Sequence, residues 1–302
     1  NGYSSCQFME KLIACPSYNY CDVYGSPVKS FPYYIATGYH RLKSTCKTTY
    51  QSSDSIVEKS VFAYDTERPY NIISKSSLCS GGAEQVERTY YSNNTIPDKE
   101  SLTTSQRSAI QLLTSRNYLT TPVQQTMEKK DKRLYSVLRG YSSSLSSGMV
   151  VEDQYYCKGT DKYEKRISYN KYDIYGNPVY INKDGAEKVV YLWGYKGQYL
   201  LAEIKGATYE EVKKALTMDP ASMSSCILPS IPLYLDMIDN LYKALPSALI
   251  TSYTYHPLIG ISGIISPNKA KTTFEYNSDS QLIRIKDTEG KTMEEYQYHF
   301  RP

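Results

Sequence analysis

The fold is decided by one stretch, Tyr169-Asn170-Lys171-Tyr172-Asp173-Ile174-Tyr175-Gly176-Asn177-Pro178-Val179-Tyr180-Ile181-Asn182-Lys183-Asp184-Gly185. A Tyr-rich strand runs into a turn built from Gly176, Asn177 and Pro178. A short strand follows, and Asp184-Gly185 supplies a second turn. Asp-Gly takes the positive φ angles of a tight hairpin, and Asn-Pro opens turns. The same order of residues returns at Tyr276-Asn277, Leu282-Ile283-Arg284-Ile285 and Glu289-Gly290. Ser17 to Val28 lies over Ser168 to Val179 without a gap and agrees at eight positions, with Cys21 standing where Tyr172 does. Repetition of this kind predicts stacked supersecondary units. Asp or Asn behind a strand Tyr is placed to accept hydrogen bonds from the amides of its own turn, while the Tyr packs against the neighbouring repeat.

Working outward, Arg41–Tyr50, Ile56–Tyr64, Tyr70–Leu78 and Ala83–Tyr91 are rich in Thr, Val, Ile and Tyr and are separated by turn formers. They predict consecutive hairpins, because no helix lies between them to make a parallel crossover. Tyr64-Asp65 is a further motif-like step, without the Gly. Strands resume at Pro122–Met127, Leu134–Tyr141, Met149–Lys158 and Tyr163–Tyr172. Glu128–Arg133 is a charged hairpin tip, and Ser142–Gly148 is predicted to be a flexible loop. Glu187–Trp193 is apolar on both faces and predicts a covered strand. Alternation in Leu249–Tyr255, Thr272–Tyr276 and Tyr296–Phe300 predicts strands with one buried and one wet face.

Helices are predicted in three places. Ser105–Arg116 sets Ile110, Leu112 and Leu113 on one side. Thr208 and Glu211 form a capping box before Tyr209, Val212, Ala215 and Leu216. Ile231 to Leu245, capped by Ser230, carries an apolar stripe from Ile231 through Ile238 and Leu241 to Leu245, which predicts packing on the sheet. The chain therefore divides into N-terminal hairpins (1–95), a connecting loop and short helix (96–116), repeat hairpins (117–205), a helical insertion (206–248) and C-terminal hairpins (249–302). The fold class is mainly β: consecutive antiparallel hairpins in an open, twisted sheet, all in a single repeat domain.

Composition excludes more than it identifies. Thirty-five Lys and Arg against thirty-one Asp and Glu leave a net charge of +4, with no basic run, so a nucleic-acid partner is not indicated. Thirty-three Tyr, against one Trp and five Phe, suit half-buried pleated surfaces with each hydroxyl at water or a polar partner. No apolar stretch is long enough to span a bilayer. Seven scattered cysteines, Cys6, Cys15, Cys21, Cys46, Cys79, Cys157 and Cys226, contain no Cys-x-x-Cys pair, which argues against zinc ribbons and thioredoxin-like chemistry; an exported chain could form up to three disulfides, but buried thiols are favoured.

No catalytic arrangement emerges. His40, His256 and His299 lack metal-site spacing, and neither a nucleophile elbow nor a phosphate loop is present. Glu152, Asp153, Asp173 and Asp184 are nominal carboxylates for a glycosidase, but Asp173 and Asp184 sit where turns need them. Trp193, Tyr195 and Tyr199 are candidate rings for a sugar. No metal or cofactor is predicted.

Tyr-Asp-x-x-Gly-x-x-hydrophobic, closed by a Gly turn, resembles the YD repeat of bacterial Rhs-type proteins, and Tyr191 to Val212 is similar to a segment that follows such repeats. The motif residues are Tyr172, Asp173, Gly176, Gly185, Tyr276, Asn277 and Gly290. The resemblance implies an exported, β-rich shell-forming chain. Two departures stand against a closed, toxin-bearing shell: the Asp-Pro-x-Gly terminus is missing, and the sequence ends at Arg301-Pro302. The chain opens Asn1-Gly2-Tyr3, consistent with a removed export signal. The expectation is a non-enzymatic secreted or cell-surface scaffold or adhesive surface, partnered by glycans, other surface proteins or the rest of a longer parent chain. A carbohydrate-binding module is the alternative, and a glycoside hydrolase-like enzyme comes after it.

Overall fold

The structure, a computed structural model, describes residues 7–9, 40–51, 54–78, 82–145, 148–225 and 231–299. The Ser17–Val28 copy, Ser230, Phe300 and five cysteines (Cys6, Cys15, Cys21, Cys79 and Cys226) lie outside them. Of the other two, Cys46 is half-buried and Cys157 is a buried thiol.

Two short strands, β1 (Gln7–Met9) and β2 (His40–Leu42), pair with each other. The remaining described strands are neighbours in chain order: β3 (Ser44–Gln51), β4 (Asp54–Tyr64), β5 (Ile72–Leu78), β6 (Glu84–Tyr91), β7 (Pro122–Lys129), β8 (Lys132–Leu145), β9 (Gly148–Lys158), β10 (Glu164–Tyr172), β11 (Pro178–Lys183), β12 (Glu187–Gly194), β13 (Tyr199–Lys205), β14 (Leu249–His256), β15 (Gly260–Ile265), β16 (Lys271–Tyr276), β17 (Leu282–Lys286) and β18 (Thr292–Glu295). Among the described residues these sixteen make one open antiparallel sheet of consecutive hairpins, with β3 and β18 at its two edges. Such a meander needs only short connections, which the turn chemistry supplies. Two compact units are present. One holds the described residues up to Ile96 with Thr120–Ser136 and Lys158–Asp161; the other holds Pro97–Leu119, Val137–Cys157 and the chain from Lys162 onward.

The larger core lies in the second unit. Val190, Ile204 and Ile250 stand opposite one another across β12, β13 and β14, as do Leu192, Ala202 and Ser252, so the pleat brings both rows to one face. That face is covered by α2 (Tyr209–Leu216) and α3 (Ile231–Ala244), through Val212, Leu216, Ile238 and Leu241. Thr208 and Glu211 make the predicted capping box on α2. A third helix, α1 (Thr104–Ser115), starts from a second capping box, Thr103 with Gln106.

Several expectations are corrected. Ser142 to Leu145 continues β8 rather than looping, because its backbone is paired within the sheet. On β14, Ile250 and Ser252 make the buried face, which the helices cover. Leu112 of α1 is only half-buried, and Gln106 takes an interior place instead. The last described strand is Thr292–Glu295, which ends just before Tyr296 instead of running through Tyr296–Phe300.

The repeated turn is the same object three times. Asp173 Oδ1 accepts from the amides of Tyr175 (2.9 Å) and Asn177 (2.8 Å), and its own amide donates to Asn177 O at 2.9 Å. Asn277 does the same with Asp279, Gln281 and Gln281 O, at 3.0, 2.9 and 2.9 Å. Asp287 repeats it with Glu289, Lys291 and Lys291 O, at 3.0, 2.9 and 3.0 Å. The third residue on is left-handed each time: Gly176 at φ +85°, Ser280 at +61° and Gly290 at +80°. The second turns differ. Asp184-Gly185, both left-handed, closes a two-residue hairpin, whereas residues 287–291 form another five-residue turn.

Tyrosine hydroxyls then tie each hairpin to the strand before it. Tyr64 donates to Leu42 O (3.0 Å), Tyr91 to Ile72 O (2.9 Å), Tyr276 to Ile261 O (2.9 Å) and Tyr298 to Leu282 O (2.8 Å), and Tyr172 donates to Val151 O. The abundant tyrosines thus act as cross-strand clamps that satisfy carbonyls near strand ends. Asp173 is 3% exposed and bonds three groups of its turn, so Asp173→Ala is expected to cost about 2 kcal/mol in urea unfolding, against about 1 kcal/mol for half-buried Asp287→Ala. Equal, negligible losses would deny the turns a structural role.

Candidate functional site

The candidate rings divide between two faces. Trp193 pairs with Leu200 and Gly194 with Tyr199, after a register slip at Leu201. Successive residues alternate across a strand, so the Trp193 and Tyr199 side chains point to opposite faces. Trp193 is half-buried, and its indole N–H donates to Pro178 O at 2.8 Å. Tyr195 and Tyr199 do meet, with ring centres 5.0 Å apart at 82°, and Tyr199 continues to Tyr255 at 4.6 Å and 37°. This is an interlocked aromatic cluster, not a coplanar stack. Tyr255 donates to Leu200 O at 2.8 Å, and burial pushes its hydroxyl up to about 12. The cluster sits beside the first repeated turn. Asn177 Nδ2 donates to Gly197 O at 2.8 Å, and a Cβ at Gly197 (φ +75°) would lie 2.6 Å from that nitrogen, so the two turns approach as closely as glycine permits.

The nominal carboxylates each have a local partner. Asp173 holds its turn, and Asp184 pairs with Arg166 at 2.9 Å. Glu152 and Asp153 meet at a node that the sequence did not mark. Asp153, buried, accepts from Gln106 Nε2 (3.0 Å), Tyr155 OH (3.2 Å), Lys165 Nζ (3.2 Å) and Ser168 Oγ (2.9 Å). Gln106 Nε2 also donates to Glu152 at 3.0 Å, and Gln106 Oε1 accepts from Thr103 N and Tyr155 OH, both at 3.2 Å. Burial raises the Tyr155 hydroxyl above its ordinary value. Three of these donors converge on Oδ2 and one on Oδ1, so Asp153 is a well-solvated buried charge that orders its surroundings.

No family profile matches the sequence, and no curated protein matches it. Solved structures of Tc toxin chains are its structural neighbours. A TcdB2–TccC3 chain aligns over 84% of this chain and 13% of its own length, with a TM-score of 0.36 at 11% identity. A chain of the Photorhabdus luminescens Tc holotoxin pore, with mutated TccC3, aligns over 87% and 13%, at 0.36 and 10%. TcdB2–TccC3 without its hypervariable C-terminal region aligns over 87% and 18%, at 0.31 and 8%. The chain therefore spans less than a fifth of the length of these neighbours.

Farther along the sheet, a cleft of about 530 Å³ is lined by Thr254, His256, Lys271, Phe274, Glu275 and Tyr276, among others. Its acid is engaged: Glu275 pairs with Lys286 and with Arg284 (3.2 Å), and the Lys286 ammonium holds the Glu275 carboxyl below its ordinary value. No group of three or more metal-binding side chains gathers among the described residues, and no described helix is long and apolar enough to cross a membrane. Gln106 is the residue that sequence reasoning missed. Its signal was the Thr103-x-x-Gln106 spacing, a capping box that placed it at the helix start without saying that its amide faces the sheet.

Proposed function

We propose that this chain is a YD-repeat segment of the Rhs type, acting without catalysis as an exported or cell-surface scaffold or adhesive surface. The observation that carries this reading is the thrice-repeated five-residue turn, with the same amides on the same Asx oxygen and a strand tyrosine just before two of its three copies. Repetition of a supersecondary unit that leans on its neighbour extends a surface rather than building one pocket. The nominal carboxylates support the same reading, because turn amides, Arg166 and the Gln106 node engage them.

The half-exposed Tyr195–Tyr199–Tyr255 cluster favours a second reading, sugar binding, since aromatic rings offer apolar faces to pyranose C–H groups. A glycan array and a panel of chromogenic glycosides, probed with wild type, Tyr199→Ala and Trp193→Ala, distinguish the readings. The scaffold reading expects neither glycan binding nor turnover. Binding lost in Tyr199→Ala would replace it with the sugar-binding module, and turnover by wild type would replace it with an enzyme.

A further inference from the structure

Of three turns at one end of the hairpins, the first and third carry apolar side chains into solvent and the middle one exposes Lys196 and Gln198. In an antiparallel meander the β10–β11, β12–β13 and β14–β15 connections emerge at the same end. Here they also touch: Asn177 Nδ2 bonds Gly197 O at 2.8 Å, and Leu258 N donates to the Tyr199 hydroxyl at 3.1 Å. Turn tips ordinarily carry polar residues, because they face water on all sides. These carry Ile174 (61% exposed) and Tyr175 (46%) in the first turn, and Leu258 (95%) and Ile259 (44%) in the third. Leu258 is left-handed as well, at φ +66°, a conformation that Asn or Gly adopts more readily.

Charge in the row is one-sided. The only carboxylate in the three turns, Asp173, is buried and committed to turn amides, while Lys196 is exposed between the two apolar tips. The next turn in the series, Asn277–Gln281, exposes Ser278, Asp279 and Ser280, so the apolar row ends there. Behind the aliphatic tips stand the half-exposed rings of Tyr195 and Tyr199. Aliphatic side chains foremost, amphipathic phenols behind them and an unopposed ammonium alongside is the order in which a bilayer interface accepts protein groups. A groove on another protein would instead be met by one continuous face, not by separate prongs from two turns with a polar turn between them.

We propose that this row of turns is a membrane-contact edge. Ile174, Tyr175, Leu258 and Ile259 enter the interfacial zone of a bilayer, and Lys196 meets the headgroup of an anionic lipid. This is independent of the repeat reading, since a scaffold without the row would remain a scaffold. Co-sedimentation of the full chain with vesicles of phosphatidylcholine alone, and of phosphatidylcholine mixed with phosphatidylserine, tests it. Wild type is expected to pellet with the mixed vesicles and more weakly with phosphatidylcholine alone. Leu258→Asn keeps the left-handed turn and should lower the apparent affinity about tenfold for both. Lys196→Gln should lower it about fivefold for the mixed vesicles only. Ile56→Ser, at an exposed apolar site on β4, should change nothing, and circular dichroism should give one melting curve for all variants. The proposal is overturned if wild type does not pellet with mixed vesicles, or if Leu258→Asn binds as well as wild type. It is overturned equally if wild type ignores vesicles but self-associates in a manner that Leu258→Asn abolishes, which would make the row a protein contact.

Discussion

Gly140→Ala is expected to destabilise the second unit by about 3 kcal/mol. A Cβ at this position of β8 would lie 2.4 Å from Cδ of Gln106 and 2.5 Å from its Nε2. The far end of a glutamine ordinarily swings aside at little cost. This one is 1% exposed and bonded at both amide atoms, to Glu152, Asp153, Tyr155 and the Thr103 amide. Movement therefore breaks hydrogen bonds to two carboxylates and opens the cap of α1 together. Bonds to charged groups contribute about 1.5–3 kcal/mol each when lost from a buried site, which sets the expected size. A double-mutant cycle isolates the cause. Gln106→Ala alone should cost about 2 kcal/mol, and in its background Gly140→Ala should cost less than about 1 kcal/mol, because the obstructing amide is gone. Chemical denaturation followed by far-ultraviolet circular dichroism measures all four corners. Strict additivity would show that Gly140 is there for some reason other than the Gln106 amide.

Raising the pH should unfold the second unit cooperatively once the solution passes the ordinary tyrosine range. Burial pushes the hydroxyls of Tyr141, Tyr191 and Tyr255 up to about 12 from an ordinary 10.0, and raises Tyr172 further in the same direction. The sign follows from linkage: between 10 and 12 the unfolded chain has released these protons and the folded chain still holds them. Their contribution is complete below pH 10 and is withdrawn as the pH rises toward 12. Tyr141, 5% exposed, alone accounts for about 2–3 kcal/mol across that window, while the half-exposed rings contribute less because water screens them. The clamps fail with the same event, since a phenolate cannot donate to Val151 O or Leu200 O. Near-ultraviolet tyrosinate absorbance should rise steeply and together with loss of sheet ellipticity. Independent titration of these rings near 10, with ellipticity unchanged, would contradict the buried-clamp account.

Much of the architecture was legible because its signals are local. Asp173 and Asn277 sit behind a strand tyrosine with a left-handed residue three places on, and that arrangement needs nothing distant to close its turn. Asp184-Gly185, the Thr208–Glu211 cap and the stripe through Ile238 and Leu241 are local in the same way. Ser142–Leu145 misled because composition speaks for the isolated segment, whereas pairing is decided by the neighbouring strands.

The sequence by itself determined that hairpins follow one another, where they turn, and which helices cap where, because five- to eight-residue patterns specify backbone dihedrals directly. Tertiary structure alone decided that Trp193 and Tyr199 part to opposite faces, a consequence of one slipped residue at Leu201. It alone carried the Gln106 amide across 47 positions to Asp153, and set the turns of Ile174 and Leu258 on either side of the Lys196 turn. These are relations between segments far apart in the chain, and register, not composition, is what brings such segments together.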